Sequence, residues 1–231
     1  MSIPRNRLAL VLACLLASSC GVNTSIVIAD GETVEGSRST VNGSVRIGSD
    51  CDVRGTCRTV NGWITVGPGT SAGGLATVNG SITIADGVTV SGDVGTVNGN
   101  LVLGDSISVE GDLETVNGSV ECGSGRVLAD VSTVNGGISL AATRVGGTLT
   151  TTNGSVKLTD GSRVAGDVVI KGRDRRGAKK KAVEIRIGDG SVVEGDIIVR
   201  DPGRRVTVIL ADGGAVKGDI TNAEVVDRSA D

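Results

Sequence analysis

The sequence predicts an all-β chain wound as a single-stranded parallel β-helix, a solenoid of about ten coils with about 18–19 residues each. Three observations predict it. An Asn-Gly pair recurs at Asn42, Asn61, Asn79, Asn98, Asn117, Asn135 and Asn153, at spacings of 19, 18, 19, 19, 18 and 18 residues. Between successive pairs, short stretches alternate aliphatic and polar residues, which is the period of a strand with one buried face. The chain has 37 Gly in 231 residues, one Trp, and no Phe, Tyr or His, so its interior has to be thin and layered, built from Val, Ile, Leu and Ala.

In chain order, residues 1–19 read as an export signal. Arg5 and Arg7 give a positive start, and Leu8 to Ala17 form an apolar run too short for a membrane span. Ala17-Ser18-Ser19-Cys20-Gly21 then resembles a lipoprotein cleavage box, so Cys20 is the candidate lipidation site; the alternative is an ordinary secretory signal cleaved near Ser19. Loss of Arg5 and Arg7 takes the net charge from −3 to −5, which gives no sign of a nucleic-acid partner. Residues 20–24 are expected as a short tether, 25–226 as the β-helix and 227–231 as a tail.

The unit Ser81 to Gly99 shows the plan of one coil. Ile82 and Ile84, then Val88 and Val90, then Val94 mark three short strands, and Ala-Asp-Gly, Ser-Gly-Asp and Asn-Gly mark the corners between them. Aligned coils give three apolar columns. Ile28, Ile47, Val66, Ile84, Leu103, Cys122, Leu140 and Leu158 form one. Val34, Val53, Val90, Val109 and Val164 form another, and Cys57, Leu75, Val94, Leu113, Val131, Leu149 and Val168 the third. Asn and Gly suit a left-handed corner, and stacked Asn side chains suit a hydrogen-bonded ladder. The direction of the Thr before each Asn-Gly is open, although Ile170 and Val199 in its place later in the chain suggest inward. Cys51, Cys57 and Cys122 align with apolar positions, which favours free buried thiols over a disulfide.

After Gly154 the Asn-Gly corner stops, but Val-x-Gly-Asp-(Val/Ile) continues at Val164 to Val168, Val193 to Ile197 and Val216 to Ile220. Basic insertions take the corner's place. Arg173, Arg175, Arg176, Lys179, Lys180 and Lys181 lie in the first, Arg204 and Arg205 in the second. They read either as two solvated loops or as one cationic patch for an anionic lipid or envelope polymer. This repeated Val-x-Gly-Asp-(Val/Ile) in coils without aromatics resembles the bactofilins, polymer-forming bacterial β-helix proteins, from roughly Ser25 to Ile220. The resemblance implies the β-helix fold and assembly into polymers; an export signal and the Thr-Val-Asn-Gly corner are departures from that family.

Enzyme chemistry finds little to use. There is no His to act as a base, which argues against hexapeptide-type acyl transfer, and Trp63 is a lone aromatic at an outward position. Asp93, Asp112, Asp130, Asp167, Asp196 and Asp219 form a row that reads as locally hydrogen-bonded, with calcium binding as the lesser alternative. No metal site and no cofactor is expected. The function expected is a structural or scaffold lipoprotein of the bacterial cell envelope, held to the membrane by lipid and self-associating end to end. The alternative is a surface binding module using a flat face or the basic corner.

Overall fold

The computed structural model describes residues 20–172 and 182–228, and within them the chain is a parallel β-solenoid of about ten coils with no helix. Each coil contributes one strand to each of three sheets. In one coil these are Ile82–Ile84, Thr89–Val90 and Val94–Asn98, called here the strands of sheets one, two and three. Among the described residues sheets one and three have 11 strands and sheet two has 10, every strand between the ends of its sheet pairing in parallel with its counterparts one coil before and after. The sequence dictates this winding because no coil can bury its own aliphatic face; only the coils above and below can cover it.

All three predicted columns point inward and are in register. Ile28, Ile47, Val66, Ile84, Leu103, Cys122, Leu140 and Leu158 are Cα partners along sheet one. Ile187 and Leu210 continue the column beyond the basic insertions. The columns headed by Val34 and Cys57 run equally unbroken through sheets two and three. Cys51, Cys57 and Cys122 are free thiols, buried among these aliphatics. Burial pushes the Cys57 thiol up to about 11 and raises that of Cys122.

The Thr of each Thr-Val-Asn-Gly points inward. Thr40, Thr59, Thr77, Thr96, Thr115, Thr133 and Thr151 are all buried in line with Ile170 and Val199. Their hydroxyls have a task there. Thr59 donates to the carbonyl of Gly43 at 2.6 Å, Thr96 to Gly80 at 2.8 Å and Thr115 to Gly99 at 2.9 Å, each one coil back. A corner carbonyl that the sheet ladder leaves over is thereby satisfied inside the core.

The Asn-Gly corner corrects one expectation. None of the seven Asn, and none of the Gly that follow them, has a positive φ. Most left-handed residues sit instead at the corner between sheets one and two, for example Asp50 (φ 55°), Gly87 (φ 71°) and Asp160 (φ 56°); Asn23 (φ 65°) and Asn222 (φ 60°) in the outermost coils and Gly36 (φ 77°) lie at the other corners. Glycine is required after Asn for a different reason, the closeness of stacked corners. A Cβ on Gly118 would lie 1.8 Å from the carbonyl oxygen of Gly99, and one on Gly99 would lie 2.0 Å from that of Gly80.

The Asn side chains form the expected ladder. Asn42 Nδ2 donates to Asn23 Oδ1 at 2.7 Å, and the same bond repeats through Asn61, Asn79, Asn98, Asn117, Asn135 and Asn153 at 2.7–2.8 Å. The Asp row works by another bond. Asp93 Oδ1 accepts the backbone N–H of Asp112, Asp112 that of Asp130, and Asp167 that of Asp196. Among the described residues no cluster of His, Cys, Asp and Glu is arranged to hold a metal ion.

Both ends of the solenoid differ from the boundaries read in sequence. The strand Cys20–Gly21 already pairs with Ser39 and Thr40 in sheet three, inside the segment expected as a tether. The last strand, Glu224–Arg228, runs two residues beyond the expected end of the solenoid.

Candidate functional sites at the basic corner and on sheet three

The two basic insertions leave the rod at one corner. Ile170 pairs with Val199 where they depart from sheet three, and Val183 pairs with Val206 where they rejoin sheet one. A Cβ on Gly172 would come within 2.8 Å of Asp201 Cβ, so the stems are in contact. Among the described residues this corner carries Lys171, Arg200 and Arg205, of which Arg200 and Arg205 are exposed. Lys171 is lowered below the ordinary lysine range, first by partial burial and then by the charge of Arg200, with Glu114 and Asp130 opposing. Arg173, Arg175, Arg176, Lys179, Lys180 and Lys181 lie outside the described residues.

Arg204 departs from the cationic patch. It is 6 % exposed and turned back into the corner. Its guanidinium donates to the carbonyl of Thr152 and, at 3.3 Å, to Asn153 Oδ1. Every other Asn of the ladder has its Oδ1 used by the next coil; Asn153 has no Asn above it. A side chain with several fixed donors closes that end. Sequence spacing placed Arg204 among the basic residues because nothing in the string Asp-Pro-Gly-Arg-Arg tells one Arg from its neighbour.

A second feature was missed in the sequence. A groove of about 530 Å³ runs along the outer face of sheet three, across the coils that contain Arg58, Ala76, Gly95 and Glu114. These four are Cα partners in consecutive coils, so they form one outward column of the sheet. Thr56, Gly74, Gly92, Asp93 and Asp112 line the groove's side along the corner from sheet two. The floor is bare because two coils in succession put Ala and Gly where their neighbours have Arg and Glu. That dip in side-chain size at one outward position is the signal that would have found it.

Elsewhere the outer surface is ordinary. Trp63 is exposed, as its position implied. Among the described residues no helix is long and apolar enough to cross a membrane. Compared with known protein families, with curated proteins and with solved structures, the chain finds no match.

Proposed function

We propose that this protein is a structural rod of the bacterial cell envelope, anchored by lipid at Cys20 and joined end to end with further copies. The observation that carries the reading is the last described coil. Among the described residues the last strands, Ala215–Val216, Ile220–Thr221 and Glu224–Arg228, pair on one side only. One coil earlier Val193, Ile197 and Val208 are completely buried; in this coil Val216 and Ile220 are half-buried and Val225 is 46 % exposed. Unpaired backbone beside aliphatic residues is a template for another edge. The resemblance of the repeat to polymer-forming bactofilins supports the same reading.

The experiment is electron microscopy and light scattering on the purified chain without its acyl groups. Filaments or concentration-dependent rods of multiple length are expected, and Ile220→Lys combined with Val225→Lys should return them to single rods. Wild-type protein that stays a single rod of about 50 Å at every concentration would overturn the proposal. The anchor is tested separately, by the mass of the mature N-terminus and by release from membranes on Cys20→Ala.

A second reading rests on the contact between the two insertion stems. Their shared corner supports a cationic patch for phosphate groups of lipids or for anionic wall polymers. Neutralising Arg173, Arg175, Arg176, Lys179, Lys180, Lys181 and Arg205 should then abolish binding to vesicles containing anionic lipid at low salt, with neutral vesicles as control. Arg204 belongs outside that set.

A further inference from the structure

The valine of each Thr-Val-Asn-Gly stands outside the core. Val78 lies between the buried Thr77 and the exposed Asn79, so its side chain leaves the outer face of sheet three. Thr59, Thr77, Thr96 and Thr115 are Cα partners, and so are Asn61, Asn79, Asn98 and Asn117, which brings Val60, Val78, Val97 and Val116 into one line. Val41 and Val116 accept the N–H groups of Asn61 and Asn135, which adds Val41 at one end of the line and Val134 at the other. All six valines are half-buried. At ~4.8 Å per coil the stripe is ~24 Å long.

Strand propensity does not account for it. The next outward column of the same strands holds Ser39, Arg58, Ala76, Gly95, Glu114 and Ser132, so this face accepts almost any residue. Thr would serve a strand as well as Val and keep the face wet, and the outer column of sheet one does use Thr65 and Thr83. The stripe also ends abruptly. In the next coil its place is taken by Thr152, which is buried and whose carbonyl receives the Arg204 guanidinium. Val is therefore used where the face is open and not where the chain covers the face itself. A continuous outward line of aliphatics marks an interaction surface.

The rung spacing indicates the occupant. A partner has to present apolar groups along a straight line at ~4.8 Å intervals, the spacing of stacked parallel strands and not of a helix, whose turns rise ~5.4 Å around a curved surface. A second copy of this chain meets that requirement rung for rung. Two sheet faces pack ~10 Å apart with their columns interdigitated, as paired sheets do in dry zippers. Charge permits it, because over these six coils the two outward columns carry one cation, Arg58, and one anion, Glu114, so like faces do not repel. Area permits it as well. Six coils with strands such as Cys57–Asn61 present a face of ~29 by ~17 Å, and two copies cover ~1,000 Å² in all, the lower limit for a specific interface.

We propose that two copies of this chain associate side by side through the valine stripe of sheet three, from Val41 to Val134. This lateral contact is separate from the end-to-end joint and from the basic corner.

Sedimentation equilibrium on the purified chain tests it, in a Cys20→Ala, Ile220→Lys, Val225→Lys background that removes acylation and the end-to-end joint. The mass of two chains is expected at high concentration and of one chain on dilution. Val60→Thr, Val78→Thr, Val97→Thr and Val116→Thr together keep the β-branched shape; they should weaken the pair at least about tenfold with circular dichroism unchanged. Oxidative cross-linking locates the contact, because the native thiols Cys51, Cys57 and Cys122 are buried. With the stripes fully overlapped, Val78→Cys cross-links to itself if the rods point the same way. It cross-links to Val97→Cys in a mixture if they point opposite ways. Thr83→Cys, on the outer face of sheet one, should do neither. The proposal is overturned by a one-chain mass at every concentration, by a fourfold Thr variant that pairs like its parent, by cross-linking at neither valine, or by Thr83→Cys cross-linking as readily as the valine positions. The background lacks the end-to-end joint, so failure here leaves that reading standing.

Discussion

A buried threonine has to account for its hydroxyl, and here the account closes at Thr115, which donates to Gly99 O at 2.9 Å inside a wall of aliphatics. Thr115→Val keeps the shape and removes the donor, leaving a corner carbonyl unpaired. The expected loss is about 1–3 kcal/mol by urea unfolding, with the rod intact by circular dichroism. Cys57 gives a prediction of pH dependence. Its thiol sits at about 11 in the fold against 9.0 as the ordinary value, because burial disfavours the thiolate. Below 9 the thiol is neutral in both states. Between 9 and 11 the unfolded chain ionises and the folded chain does not, so stability falls as pH rises through that window, by roughly 2–3 kcal/mol. Denaturation midpoints of wild type and Cys57→Ala should therefore converge above pH 9. At this scale the sequence showed the aliphatic columns plainly, because alternation assigns each residue a side. It left Thr undecided, because a hydroxyl with a methyl group fits either face, and only the position of the Gly carbonyl one coil back settles the matter.

The corners and sheets set a second layer of constraints. Each Asn-Gly corner stacks so tightly that a methyl group has no room, whereas sheet three at Gly95 has room to spare. Gly118→Ala is expected to destabilise by about 3 kcal/mol or more, while Gly95→Ala should be neutral or slightly stabilising; thermal unfolding of the pair measures the contrast. The repeated Asn-Gly was legible as a corner and as a ladder, but its backbone geometry was not. In sequence, a left-handed turn and a close approach both call for glycine, and the two are told apart only by the neighbouring coil. Arg204 shows the same limit. Its partners Thr152 and Asn153 lie 52 and 51 residues away, and the spacing between them is set by two insertions of unequal length. Arg204→Met should leave the Thr152 carbonyl and Asn153 Oδ1 without their donor. Hydrogen exchange is expected to quicken at residues 150–155 and 204–208 first, while the coils before Asn117 stay protected.

For the whole molecule, stability is a sum of coil-to-coil steps rather than the property of one central core. Damage is therefore expected to spread from the ends and from the loop corner, and the middle coils should be the last to open. The Asn ladder adds a consequence of another kind, for the covalent lifetime of the chain. Asn followed by Gly is the dipeptide most prone to lose ammonia, because the glycine nitrogen can reach the side-chain carbonyl and close a ring. This chain carries seven such pairs. In the rod each amide is held by its neighbours, and Gly62 and Gly80 spend their N–H groups on the Asn carbonyls of the next coil. Ring closure needs both partners to turn away from those bonds. The folded rod should thus age slowly and the unfolded chain quickly, each opening exposing pairs whose conversion to Asp removes a donor from the ladder and obstructs rewinding. Incubation with and without denaturant, followed by peptide mass mapping, is expected to show conversion confined to the unfolded sample, which makes winding irreversible in proportion to time spent unwound.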